Sequence, residues 1–549
     1  MSSMLKTLKN TTYLLLFGIV VLAAAIRFYQ ISSLPVSLYW DEVSTGYNAY
    51  SIATTGKDEF GISMPLLFKA FNDYKMPVNI YLSALPIKLF GLNELSVRFT
   101  SAFFGTLTVL ITFFLVKEIF TKENTKKRFG ADQKLPLLAA FFLAISPWHI
   151  QFSRAAFEAN VGLFFVVFGT YLFFKSFQKS ILLPMCGLSY IVAMYSYRSI
   201  LGFVFLLVLG LGIIWWRKIF DNKKYFIASA LIGLVLCMPL VIALVGKGAS
   251  RFYQTSIQVE ASKRSLDLYT KGTPSNKNFV LAKVFTEGYF SAFSPDFLFI
   301  KGDPNGRHNV RGMGLLYLWE IPFILFGLFV VFRRMPRKIG LTLLVWIIAF
   351  PLPAAFSIPT PHALRTLNIL PLPQIITAIG LLSLLTYFRK FSKIYIFALS
   401  VIIVLTFLNF ITLYTTSHSH IYAQDWGDGY KQLAMYVNKN YNSYDAFIIS
   451  GHYWQPYAYM LFYSQFDPKK YQNGGNSTHF DKYYFGGTSW DLDADHKELG
   501  DVNLRAIAKG NALVALSPEE YRDQEQNLIG KDTIYDHNGK LVFIISHLK

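Results

Sequence analysis

Two carboxylates, Asp41 and Glu42, stand side by side in Leu38-Tyr39-Trp40-Asp41-Glu42, a short way past the first apolar run of the chain. A carboxylate flanked by aromatics and close to a bilayer surface is partly desolvated. Desolvation raises its proton affinity and suits it to take a proton from an attacking hydroxyl. The same pair also reads as an ordinary solvated couple, or as favourable negative charge at a helix start. Downstream come Asn72-Asp73-Tyr74-Lys75-Met76-Pro77, Lys88-Leu89-Phe90-Gly91 and Glu94-Leu95-Ser96-Val97-Arg98-Phe99. Ser146-Pro147-Trp148-His149 then leads to Arg154 and Glu158. An acid at the edge of an apolar run is costly unless it is paired or used. If this stretch is helical, Arg154 and Glu158 share one face, and a structural pair and a functional one fit equally. Arg198 closes Tyr195-Ser196-Tyr197-Arg198, and Pro361-His362-Ala363-Leu364-Arg365 holds a histidine and an arginine together. Arg198 and Arg365 read as functional cations or else as snorkelling anchors at helix ends; His362 could donate a hydrogen bond.

Apolar runs must position these residues. The chain of 549 residues is 53% hydrophobic and only 15% charged, against about 25% charged for an average soluble domain. Eleven runs read as membrane helices: 13–26, 102–116, 135–145, 161–174, 181–195, 200–216, 225–245, 315–332, 339–356, 367–387 and 394–414. The first lacks a clear small-residue cleavage site and reads as a retained helix. Outer segments then span about 29–99 and 246–313, with a tail from 416. The tail reads as a small α/β domain, with a helix at 429–438 and strands at 446–450, 512–516 and 541–546. The expected domains are therefore a membrane domain, 1–415, and an extracytoplasmic α/β domain, 416–549.

A net charge of +19 raises the question of nucleic acid, but its distribution excludes that class. Residues 417–549 carry 12 Lys and Arg against 16 Asp and Glu, so the positive excess lies in the membrane part. It concentrates in short loops: Lys122, Lys126, Lys127 and Arg128; Lys175 and Lys179; Arg217, Lys218, Lys223 and Lys224; Arg333, Arg334, Arg337 and Lys338; Arg389, Lys390 and Lys393. With alternating helices these all fall on one face, which marks it as cytoplasmic. The N-terminus is then inside and the tail outside, in a multi-pass protein of the cell membrane. Cys186 and Cys237 lie inside apolar runs and carry no redox signal.

The Trp-Asp-Glu loop, the Tyr-Lys-x-Pro element, the Lys-Leu-Phe-Gly…Glu…Arg run and the Ser-Arg…Glu segment occur in a set order. In this the chain resembles the membrane glycosyltransferases with the C-type fold. The nearest branch holds the protein O-mannosyltransferases and the aminoarabinose transferase of lipid A. The resemblance covers about residues 10–240 and continues more weakly through Pro361–Arg365. Phe293-Ser294-Pro295-Asp296 through Gly302-Asp303-Pro304 resembles uncharacterised bacterial members and receives no role. The resemblance implies a polyprenyl-phosphate-linked sugar donor and a protein, lipid or glycan acceptor bound from the outer side. It makes Asp41 the catalytic base with Glu42 beside it, and Lys75 the lysine near the donor phosphate. Glu158 falls where some members carry a second functional acid, usually aspartate, and Arg154 matches the arginine of the Ser-Arg element.

The chemistry fits. Transfer from a phospholipid carrier needs an acceptor hydroxyl deprotonated as it attacks the anomeric carbon. It also needs the departing phosphate held by fixed cations, here Lys75, Arg365 and Arg198. Direct displacement predicts inversion. No cofactor is expected; His418 and His420 lack a carboxylate partner, and a divalent metal stays as an alternative. The rival class is a polytopic transporter or lipid flippase, which places its ionisable residues near mid-membrane.

Overall fold

The computed structural model describes residues 2–71, 73–120, 133–221, 223–246, 255–271, 276–388, 390, 392–486 and 511–548. Asn72, the basic cluster from Lys122 to Arg128, Arg389 and part of the 246–313 segment lie outside the described residues. The chain divides into two compact units. One comprises residues 1–29 and 101–414, the other residues 30–100 and 415–549. The second cut lies beside the one drawn from sequence at 415/416, but the first outer segment falls in the same unit as the tail.

The first unit is helical, and all eleven apolar runs form helix. The helices formed by the eleven runs differ in length. Among the described residues, eight helices are long and apolar enough to cross a membrane, and the bent pair Lys134–Ala144 and Pro147–Arg154 makes up to nine. That pair turns by 56° where Pro147 starts the second helix. Leu182–Met194 and Glu320–Arg334 have 13 and 15 residues, or about 20 Å at 1.5 Å per residue, short of a 30 Å hydrocarbon core. Burial sorts the spans. In the most apolar 18-residue stretch of Glu158–Ser176 and of Leu367–Tyr387, 72% of residues are buried, against 6% in those of Lys223–Gly246 and Ser392–His418. Helices this apolar and this uncovered need lipid around them, and the chain is a multi-pass membrane protein.

Between inner helices the contacts are close. Glu320–Arg334 packs along Leu372–Tyr387, and each contributes a glycine to the crossing. A Cβ built on Gly380 would stand 2.0 Å from the Phe323 carbonyl oxygen, and one on Gly327 would stand 2.2 Å from that of Ile376. Only glycine lets the two backbones approach so closely, the usual device where lipid supplies no hydrophobic drive between helices.

The second unit is α/β. Its six-stranded sheet has the order β4-β5-β3-β6-β8-β7. The strands are β3 (Ala446–Ser450), β4 (His479–Phe480), β5 (Tyr483–Gly486), β6 (Ala512–Leu516), β7 (Leu528–Tyr535) and β8 (Leu541–Leu548). β3 runs parallel to β5 and β6. Towards the other edge, β8 runs antiparallel to β6 and β7 antiparallel to β8. Every residue of β3 and β6 is buried, which explains why both are apolar throughout except at Ser450. A smaller hairpin joins β1 (Phe68–Ala70) to β2 (Asp73–Lys75), with Phe68 opposite Lys75.

The two stretches of this unit interlock through specific groups. Gln472 Nε2 donates to Ser51 Oγ at 3.0 Å, Thr55 Oγ1 at 3.1 Å and the Asp58 carbonyl at 2.9 Å. Tyr47 Oη donates to the Phe466 carbonyl, and Lys431 meets Glu94 at 2.6 Å. Trp426 and Tyr457 are core residues, while Trp454 is exposed.

Candidate active site

The helix Trp40–Thr55 begins at the acidic pair and carries both carboxylates in its first turn, where the helix dipole favours them. Their surroundings differ. Glu42 is fully buried, and its Oε2 accepts from the Tyr39 amide at 3.2 Å. Arg98, also fully buried, grips it with two bonds: Nε to Oε1 at 2.9 Å and Nη2 to Oε2 at 3.1 Å. The remaining donors of Arg98 reach the carbonyls of Ile31, Pro35 and Ser37. Five donors thus meet five acceptors, the condition under which a buried pair is tolerated. The guanidinium also lies 5.9 Å from the Trp426 ring, which meets Tyr39 edge-on.

Asp41 is the accessible member of the couple. Its side chain is 38% exposed and its Oδ1 lies 2.9 Å from Lys75 Nζ. The same ammonium donates to the Asp41 carbonyl at 3.1 Å and sits 5.0 Å from the Phe71 ring. Lys75 ends β2, just before Met76 caps the helix Pro77–Phe90. The hairpin and the helix start therefore hold the lysine against the acid across 34 residues of sequence. Within the second unit the structure brings Asp41, Glu42 and Lys75 together.

A further acid of this unit escaped sequence reading. Glu59 is 1% exposed, its Oε1 has no hydrogen-bond partner, and its amide donates to Asn48 Oδ1 at 3.2 Å. Burial pushes its carboxyl up from 4.5 to about 8, Asp58 adding to the rise and Asn48, Lys75 and Lys69 opposing it. Nothing in Lys57-Asp58-Glu59-Phe60 distinguishes it from a solvated acid.

The other residues predicted from sequence lie in the first unit. Arg154 ends the helix Pro147–Arg154, and Glu158 starts Glu158–Ser176 beyond a non-helical break at 155–157. The condition for their sharing a helical face is therefore not met. Arg154 is buried and donates from Nη1 to the Ile26 carbonyl at 2.5 Å and from Nη2 to that of Tyr29 at 2.7 Å. It caps the end of the first membrane helix, a favourable place for a cation, with its guanidinium 5.0 Å from the Tyr414 ring. Arg27 does similar work unannounced. Fully buried, it donates to the carbonyls of Ala23 and Ala144 and lies 2.7 Å from His149 Nδ1.

Arg198 opens the helix Arg198–Phe220, and the hydroxyl of Ser199 beside it donates to the Arg365 carbonyl at 3.3 Å. Arg365 Nη1 reaches the Pro359 carbonyl. His362 is half-buried, and its ring centroid lies 4.7 Å from that of His308. Trp148 Nε1 donates to the Ala363 carbonyl. The Ser146-to-Arg154 stretch, the Gly302-Asp303-Pro304 loop and the 362–366 segment therefore meet, and Arg198 adjoins them.

Residues 74–242 match the model of the dolichyl-phosphate-mannose-protein mannosyltransferase family. An uncharacterized protein of Aquifex aeolicus strain VF5 is 30% identical over 105 residues. That match spans 19% of this chain and 19% of the relative's length. The fold is similar to that of ArnT from Cupriavidus metallidurans, solved with bound undecaprenyl phosphate. The TM-score is 0.54 at 12% identity, covering 96% of this chain and 97% of ArnT. It is also similar to the oligosaccharyltransferase of Archaeoglobus fulgidus, solved with a tethered acceptor peptide. Here the TM-score is 0.50 at 13% identity, covering 97% of this chain and 74% of the other. Likeness at such identities speaks to architecture, and on that ground the chain has the C-type fold of membrane glycosyltransferases.

Proposed function

We propose that this protein is a glycosyltransferase that moves a sugar from a polyprenyl-phosphate carrier to an acceptor hydroxyl on the outer face of the cell membrane, with inversion at the anomeric carbon. The observation that carries the reading is the 2.9 Å pairing of Asp41 with Lys75 at an accessible helix start. In the reaction the Asp41 carboxylate takes the proton of the acceptor hydroxyl as its oxygen bonds to the anomeric carbon. The bond from that carbon to the carrier phosphate breaks, and Lys75 holds the negative charge that forms on the phosphate. A phosphate is already a weak base, so no strong acid is needed on the leaving side. Glu42, held by Arg98, fixes the helix start and is a positioning residue in this reading.

The fold match to ArnT, a protein solved with a polyprenyl phosphate, supports the donor class, and the mannosyltransferase family match supports sugar transfer. The acceptor class is protein, lipid or cell-surface glycan, with no nucleic-acid partner. Mass spectrometry of surface glycoconjugates tests the proposal in cells lacking the protein and in cells complemented with wild type or Asp41→Asn. A sugar modification present only with wild type is expected. An identical glycan profile in all three would refute transferase activity and leave the transporter reading.

A further inference from the structure

We infer a metal site in the first unit, where Asp303, His308 and His362 bind a divalent cation of the zinc class. One donor atom from each of the three lies within 4.8 Å of those of the other two. Two imidazoles and a carboxylate form a borderline N/O donor set of the kind zinc prefers. A four-coordinate ion with bonds of about 2.0–2.1 Å separates its donors by about 3.4 Å. Asp303 Oδ2 and His308 Nδ1 are already 3.0 Å apart, and the widest separation in the set has to close by at most about 1.4 Å. Three protein ligands leave a fourth position for water or another oxygen.

The site is built rather than incidental. Asp303 and His308 are buried, at 6% and 5% exposure. Asp303 Oδ1 accepts the Asn305 amide at 2.8 Å. Its Oδ2 accepts the Ala363 amide at 2.6 Å and lies 3.0 Å from His308 Nδ1. The carboxylate therefore joins the 303–308 loop to the 362 segment before any ion arrives. Gly302, at φ +75°, starts the loop against Asn309, whose side chain ties the carbonyls of Lys301, Val310 and Met313. A Cβ on Gly302 would stand 2.2 Å from Asn309 Nδ2. Phe152 and Phe157 pack their rings on His308 at 5.7 and 5.8 Å, and Trp148 holds Ala363 from behind. Thr366 ties the His362 carbonyl from both its amide and its hydroxyl.

Metal content decides the matter and does not depend on transfer activity. The full-length protein, purified in detergent without chelator and with any affinity tag removed, is measured by elemental analysis. It is then stripped and titrated with Zn²⁺ and with Co²⁺. One equivalent of zinc per chain is expected, together with a visible Co²⁺ d–d band of imidazole-ligated, low-coordinate type. His308→Phe, which keeps a ring against Phe152 and Phe157, and His362→Ala, at the half-buried position, should each lose the band and at least tenfold in affinity. Wild-type protein that binds no Zn²⁺ and shows no Co²⁺ band overturns the site, and this needs no variant to fold. Binding that is unchanged in both variants overturns it equally.

Discussion

Lys75 Nζ lies 2.9 Å from Asp41 Oδ1 and 3.1 Å from the carbonyl of the same residue, so one ammonium holds both the side chain and the backbone of the helix start. If Asp41 is the base and Lys75 the phosphate cation, the two substitutions should fail differently. Asp41→Asn keeps the shape and a hydrogen-bond acceptor but loses the base, and should lower kcat by about 10²–10⁴-fold. Lys75→Met should also raise KM for the donor, because a phosphate contact made in the ground state is lost. Transfer rates from a polyprenyl-phosphate sugar in proteoliposomes measure both. An active Asp41→Asn enzyme would remove the residue from the mechanism.

The Glu42–Arg98 pair predicts loss of structure rather than of chemistry alone. Arg98→Met leaves a carboxylate buried with no cation and frees three carbonyls. Breaking such a pair typically costs about 3–5 kcal/mol. Thermal unfolding in detergent should shift markedly downward, and the Glu42→Gln, Arg98→Met double variant should recover part of the loss. A single variant as stable as wild type contradicts the assignment.

Glu59 predicts a pH dependence. Its carboxyl titrates at about 8 in the folded chain and at 4.5 when free. Between these values the folded state keeps a proton that the unfolded state releases. The contribution to stability is therefore fullest below about pH 4.5, declines as pH rises, and levels off above 8. Glu59→Gln removes that slope. Its advantage over wild type should grow from pH 5 to 8 toward a few kcal/mol, at about 1.36 kcal/mol per unit. Unfolding temperatures of both proteins across that range check it, and parallel curves would dismiss it.

The glycine crossing makes a steric prediction. Gly380→Leu cannot be accommodated against the Phe323 carbonyl without separating Glu320–Arg334 from Leu372–Tyr387. It should cut the yield of monodisperse protein sharply. Gly212, whose added Cβ would meet nothing within 4 Å, should tolerate the same change. Equal behaviour in size-exclusion profiles would argue against the close crossing.

Orientation is open to labelling. Trp454 is exposed on the second unit. In a Cys186→Ser, Cys237→Ser background, Trp454→Cys should react with a membrane-impermeant maleimide added to intact cells. Reaction only after lysis would place the tail in the cytosol.

The elements that sequence revealed are those whose signal is local. Uninterrupted apolar runs gave the helices of the first unit, and short apolar runs gave β3 and β6. Length misled where a run exceeded its helix: 315–332 reads as one span, but its helix starts only at Glu320, whose carboxylate accepts the Tyr317 amide. β7 was missed because five successive residues in its middle are exposed, leaving no apolar alternation to read. In the site, Asp41 and Lys75 stood out as motifs. The roles of Arg98, Glu59 and Asp303 depend on partners or burial supplied by distant chain. Asp303 and His362 are 59 positions apart, and no spacing rule connects a loop aspartate to a histidine so remote.

That the second unit draws on residues 30–100 and 415–549 has a consequence for biogenesis. Gln472 lies 414 to 421 positions beyond Asp58, Thr55 and Ser51, and the ribosome must make that chain before they can meet. At about 5–20 residues per second, the helix bearing Asp41 waits roughly 20–85 s for its cover. A nascent chain halted before the tail should expose that stretch to protease or chaperone, so the helix that starts at Trp40 matures only when translation is nearly complete.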